Sequence, residues 1–100
     1  GPVLLEAFER TEDADLRLTI AGHAAGSLGP RRGGELFLRV IREAEFPYVR
    51  SEAARALGEL AGRPFEGYDP EGDAVANREA IRAMERWVSA AEQEVDRAQP

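Results

Sequence analysis

Apolar residues recur along this chain at intervals of three and four, the spacing that gathers them on one side of a helix. Val3, Leu4, Ala7 and Phe8 predict a short first helix over 3–11, broken by Thr11-Glu12-Asp13. Asp13 is placed to cap a second helix, its carboxylate accepting from free first-turn amides. Leu16, Ile20, Ala21, Ala24 and Leu28 line that helix as far as Gly29-Pro30, a normal stop. The run Pro30-Arg31-Arg32-Gly33-Gly34 reads as a turn. Leu36, Phe37, Val40 and Ile41 mark a third helix that ends near Ala44 to Phe46. Pro47 suits the first turn of a fourth, which Val49, Ala53, Ala54, Leu57 and Ala61 line and Gly62 stops. A joint follows at 63–73, RPFEGYDPEGD, with two aromatics, two glycines, two prolines and four acids. Beyond it, Ala80, Ile81, Met84, Trp87, Val88, Ala91 and Val95 form one broad apolar stripe. That stripe predicts the longest helix, over 74–97, with Asp73 as its cap.

The pattern repeats. A shift of 33 residues lays Leu4 on Phe37, Leu5 on Leu38 and Phe8 on Ile41. The same shift lays Glu12 on Glu45, Leu16 on Val49, Arg17 on Arg50, Ala21 on Ala54 and Gly29 on Gly62. Identities are few, but apolar class, helix breaks and helix ends stay in phase. Two helix pairs at such a period are the signature of an α-solenoid, in which neither hairpin buries its apolar face alone.

VRSEAARALGELAG, Val49 to Gly62, resembles the second helix of a HEAT repeat, with valine-arginine near its start, an alanine-rich middle and alanine-leucine-glycine near its end. LRLTIAGHAAGSLG, Leu16 to Gly29, is similar, with Ala24-Ala25 in place of Leu57-Gly58. The GYDP segment and the helix after it, with its spaced isoleucine and tryptophan, resemble the terminal part of some bacterial HEAT-repeat proteins. The resemblance is thus to the armadillo-like class that includes chromophore-lyase-type HEAT-like repeats. It implies an all-α fold: a short right-handed α-solenoid of two HEAT-like hairpins closed by a long C-terminal capping helix. Residues 1–100 are then one domain, with repeat 1 at 3–29, repeat 2 at 35–62, the joint at 63–73 and the cap at 74–97. In that family small residues such as Ala21 and Ala54 allow close helix contact. The arginine after the valine, Arg17 or Arg50, pairs with a nearby acid or helix end. Family members are mostly scaffolds that bind other macromolecules; a minority are chromophore-lyase subunits, and some relatives are DNA-repair enzymes.

Charge narrows the partners. Nineteen acids against thirteen basic residues, every one an arginine, give a net charge of −6. The excess lies mostly in residues 51–100, with eleven acids and six arginines. Such a balance disfavours nucleic acid and anionic membrane surfaces. A helical-repeat nucleic-acid binder would need Arg10, Arg17, Arg31, Arg32 and Arg39 to converge into one stripe. No apolar run has membrane-spanning length and no signal-peptide pattern appears. Absence of cysteine leaves no thiol chemistry and no redox clue to the compartment, with the cytoplasm favoured. Gly1-Pro2 resembles a remnant of tag removal, in which case the native segment begins at Val3.

Chemistry is sparse. Asp69, Glu71 and Asp73 alternate like the start of a calcium loop, but Ala74 stands where its glycine belongs and Ala80 where its closing glutamate belongs. His23 is the single histidine, with no cysteine to share a zinc ion. Ser27, Ser51 and Ser89 lack a nucleophile turn, and Glu6 with Glu9 is an ordinary pair on a solvated helix. No metal, cofactor or catalytic group is therefore expected. The expected partner is another protein, or further repeats of a longer chain, contacted through Arg17, His23, Arg50, Arg55 and Glu59. Arg31 and Arg32 are candidate anion contacts in their turn. Asp13, Ala21, Ala54, Gly62, Phe65, Tyr68, Asp73, Ile81, Met84 and Trp87 are structural, with Phe65 and Tyr68 covering the end of the second repeat. An accessory enzyme subunit, lyase-like and with a groove for a cofactor, is the alternative.

Overall fold

The computed structural model describes residues 2–91. Five α-helices occur there and no strand: α1 Pro2–Arg10, α2 Ala14–Leu28, α3 Pro30–Glu43, α4 Pro47–Ala61 and α5 Arg78–Ala90. None is long and apolar enough to cross a membrane.

The ends of α2 and α4 have clear local causes. Asp13 stands before α2 with an extended backbone, and its Oδ1 accepts from the amides of Asp15 and Leu16 at 2.9 and 3.2 Å. Pro47 opens α4 at the position where its missing N–H loses nothing. Gly62 closes α4 at φ 85°, a left-handed conformation that glycine adopts without strain. Under a shift of 33 residues, Ala14 falls on Pro47 and Leu28 on Ala61, so both ends of α2 coincide with those of α4. The same shift carries Arg10, the last residue of α1, onto Glu43, the last of α3.

α3 is the spine. Leu36, Phe37, Leu38, Val40 and Ile41 are all buried, and the helix packs against α2, α4 and α5. Around it lie Phe8 from α1, Ile20, Ala21 and Ala24 from α2, Val49, Ala53 and Leu57 from α4, and Met84 and Val88 from α5. Leu4, Ala54, Phe65, Tyr68 and Trp87 are half-buried against this core; Ile81 on α5 is half-buried too. Full burial of a leucine, isoleucine, valine, phenylalanine or methionine side chain stabilises by about 1.5–3 kcal/mol, and α3 brings five of these to the seam.

Two expectations are corrected. Pro30-Arg31-Arg32-Gly33-Gly34 is not a turn but the first helical residues of α3. Gly29 alone makes the bend, at φ 99° and ψ 167°, and Pro30 follows at once in the first helical position. The two glycines serve packing. A Cβ on Gly33 would lie 2.3 Å from Ala25 Cβ and 2.5 Å from its Cα, so α2 and α3 approach too closely there for any side chain. A Cβ on Gly34 would lie 2.9 Å from Val88 Cγ2 of α5.

The last helix is the second correction. It begins at Arg78, with Ala74–Asn77 in turns, and Ala91 leaves it with an extended backbone at φ −66° and ψ 139°. Asp73 Oδ1 accepts from Ala76 N at 2.8 Å, which closes one turn without capping α5. Asn77 holds the N-cap position, but its side chain is drawn away into the joint. Residues 92–97, including Val95, lie outside the described residues.

Candidate functional site

Arg17 and Arg50, equivalent under the shift, do equivalent work inside the fold. Arg17 Nε donates to the carbonyls of Thr11 at 2.9 Å and Phe8 at 3.2 Å, at the end of α1. Arg50 Nη1 donates to the carbonyls of Ala44 at 2.6 Å and Glu45 at 2.9 Å, just past the end of α3. Thr11 and Ala44 are themselves 33 residues apart, so each arginine clamps the end of the helix before its own. The reason is electrostatic: the last carbonyls of a helix lack intrahelical donors and carry the negative end of its dipole. Arg50 reaches further, donating from Nε and Nη2 to the Pro70 carbonyl at 2.9 and 2.6 Å, which fastens the joint to α4.

The joint is organised by Asn77, which sequence reasoning passed over. It is buried, and its Oδ1 accepts from Asp69 N at 2.7 Å while Nδ2 donates to the carbonyls of Asp69 at 2.8 Å and Gly72 at 3.2 Å. The two aspartates of the joint are used locally: Asp69 Oδ1 accepts from Glu71 N at 3.0 Å, and Asp73 Oδ1 from Ala76 N at 2.8 Å. Among the described residues no group of three or more histidines, aspartates or glutamates is placed to hold a metal ion. Burial pushes the Tyr68 phenol up, partly opposed by the charge of Arg50 beside it.

An ionic cluster ties α1, α2 and α3. Glu43 accepts from Arg17 at 2.9 Å and Arg39 at 3.2 Å, and Arg39 also pairs with Glu9 at 2.8 Å. Both guanidiniums lie over the buried ring of Phe8, at 4.8 and 5.0 Å from its centre. Burial alone would raise the Glu43 carboxyl, but hydrogen bonds and charge from Arg39 and Arg17 outweigh it and hold the group below its ordinary value. The sign follows: a carboxyl whose pKa is depressed by folding stabilises above its unfolded pKa of about 4.3 and loses that contribution as pH falls through the folded value. Urea unfolding of the wild type and Glu43→Gln should therefore differ at neutral pH and converge in acid below that range. The gap should narrow with salt, since the Glu43 side chain is 47% exposed.

Two open grooves flank these clamps. The first, of about 700 Å³, lies where the α1–α2 and α3–α4 hinges meet. Its lining sets five carboxylates, Glu12, Asp13, Asp15, Glu43 and Glu45, against one guanidinium, Arg17. On it stand Phe46 and Tyr48, 56% and 60% exposed, their ring centres 6.0 Å apart and tilted by 32°. Tyr48 OH donates to Asp15 Oδ2 at 3.2 Å, and the Asp15 charge holds the phenol above its ordinary value. The second groove, of about 680 Å³, runs between α4 and the joint. Ala54, Gly58, Pro64, Phe65 and Tyr68 make it largely apolar, and Arg55 and Glu59 form its rim.

The expected partner contacts thus separate into two sets. Arg17 and Arg50 turn their guanidiniums inward. His23, Arg55 and Glu59 are exposed, with Arg55 paired to Glu52 at 2.6 Å and Glu59 at 3.1 Å along α4. Arg31 and Arg32 are exposed on the first turn of α3, and Arg31 meets Glu35 at 3.6 Å. Arg17 and Arg39 are engaged with Glu43, which leaves Arg10, Arg31 and Arg32 to stand without them rather than in one free stripe. Arg42 pairs with Glu85 and joins α3 to α5. No protein-family model, no curated protein and no solved structure matches this chain.

Proposed function

We propose that this chain is a non-catalytic protein-binding module built from two HEAT-like helical repeats, α1–α2 and α3–α4, with α5 covering the side of α3. The repeated clamp carries the reading: Arg17 donates from Nε to the Thr11 carbonyl and Arg50 from Nη1 to the Ala44 carbonyl, guanidinium-to-helix-end contacts at positions one period apart. A helical pair that recurs with its own end-clamp is a stacking unit, and stacked units present continuous surfaces to partners. The largely apolar groove between α4 and the joint, with Arg55 and Glu59 in its lining, offers a partner an open surface on the second of these units. Glu43 is held ionised by its neighbours rather than poised near neutral pH, so it is not suited to proton transfer. The partner is another protein or further repeats of a longer chain.

Affinity capture from lysate of the source organism tests the reading. The bait is the chain itself, and its control is a variant with Arg55→Glu and Glu59→Arg, two exposed positions whose reversal leaves the clamps intact. The expected result is a protein retained by the bait and lost with the folded control. Retention of nucleic acid or a small chromophore alone would overturn it.

A further inference from the structure

We infer that the groove where the α1–α2 and α3–α4 hinges meet is a second docking surface, made for a positively charged segment of a partner protein. The inference rests on the protein-binding reading for the class of partner and on separate observations for the site. The two grooves share no lining residue.

Exposed aromatics carry the argument. Phe46 and Tyr48 belong to neither the core nor the residues packed on it, yet they sit side by side with more than half of each surface in water. A single exposed ring needs no explanation, whereas a pair lining a groove with Ala14 and Ala44 is an apolar floor that no described residue covers. Charge then selects the occupant. Around that floor lie five carboxylates, and the one guanidinium, Arg17, is turned to backbone carbonyls and Glu43. Among the described residues Glu12 and Glu45 have no salt-bridge partner. An anionic partner is repelled there. The carboxylates do not converge on one point, since no group of three among the described residues is placed for a metal ion. Dispersed negative charge around aromatic faces fits several cations along a chain better than one ion.

The protein uses the same chemistry within itself. At Phe8 two guanidiniums stack on one ring while their ends pair with Glu9 and Glu43. The hinge groove presents the complementary half of that arrangement to solvent: rings to stack under guanidinium or ammonium groups, and carboxylates to receive their hydrogen bonds.

The test is fluorescence anisotropy with a labelled peptide of four Arg-Gly-Ala repeats, and with a counterpart in which glutamate replaces each arginine. The arginine peptide should bind, more weakly as salt rises, and the glutamate peptide should not. Phe46→Ala combined with Tyr48→Ala should weaken binding at least tenfold, Glu12→Gln with Glu45→Gln severalfold, and Tyr48→Phe hardly at all, since it keeps the ring. Circular dichroism melting verifies folding of each variant, which the exposure of these side chains favours. Arg55→Glu with Glu59→Arg should leave peptide binding unchanged. Absence of binding, equal binding of the glutamate peptide, or affinity indifferent to loss of both rings would overturn the inference. If capture through the α4 groove persists in any of those cases, the protein-binding reading stands and this one alone fails.

Discussion

Arg50→Ala should lower the stability of this protein by about 3 kcal/mol, a large fraction of what a small domain has. The guanidinium makes four hydrogen bonds to three carbonyls, two of them at 2.6 Å, from a half-buried position. Truncation leaves the Ala44 and Pro70 carbonyls, both in part-buried contacts, without their donor. The same change releases the end of α3 and the joint together, so no single local adjustment restores both. A fall in melting temperature of roughly 15 °C follows for a domain of this length. Arg50→Lys should recover only part of it, because one ammonium cannot bridge Pro70 and the Ala44–Glu45 carbonyls at once. A lysine variant as stable as the wild type would show that charge at the helix end, and not the fork, matters.

Gly33→Ala should be destabilising by at least about 2 kcal/mol, against the normal preference of a helix for alanine. The added Cβ meets Ala25 at its Cβ, its Cα and its backbone nitrogen, at 2.3, 2.5 and 2.8 Å. Backbone cannot rotate aside as a side chain can, so α2 and α3 must separate along the most extensive helix contact in the fold. Ala25→Gly removes only the first of the three clashes, and the double variant should therefore stay well below wild type. Gly22 and Gly26, also on α2, have open space within 4 Å of where a Cβ would stand. Alanine at either should raise stability by about 0.5–1 kcal/mol. Denaturant midpoints for the four variants separate packing from propensity.

The same residues show what the sequence could and could not disclose. The bounds of α2 and α4 were legible because each is set locally, by Asp13, Pro47, Gly29 and Gly62. Gly33-Gly34 misled because glycine usually marks a turn, while here its value lies in contacts with Ala25 and Val88 on other helices. The start of α5 was set too early: Asp73 has the chemistry of a cap, but Asn77 is pulled into the joint by partners at 69 and 72. The resemblance to HEAT repeats implies that Arg17 and Arg50 pair with a nearby acid or helix end; both donate to helix-end carbonyls, and Arg17 also to Glu43.

The hinge groove was the least legible feature. Its carboxylates come from 12–15 and 43–45, unremarkable apart and concentrated only when the two hinges meet. One signal existed: the repeat shift that lays Glu12 on Glu45 also lays Asp15 on Tyr48, the pair whose side chains hydrogen-bond across the hinges.

The central claim, that this chain binds proteins along its helical pairs, is tested most directly by photo-crosslinking. Benzoylphenylalanine is placed at Arg55 on the α4 rim, at Tyr48 in the hinge groove and at exposed Arg10 on α1 as a control, and each variant is irradiated in lysate of the source organism. Protein adducts of defined mass at the two groove positions, absent at Arg10 and competed by unlabelled chain, are the predicted result. Adducts at neither groove, or equal labelling at Arg10, would contradict it.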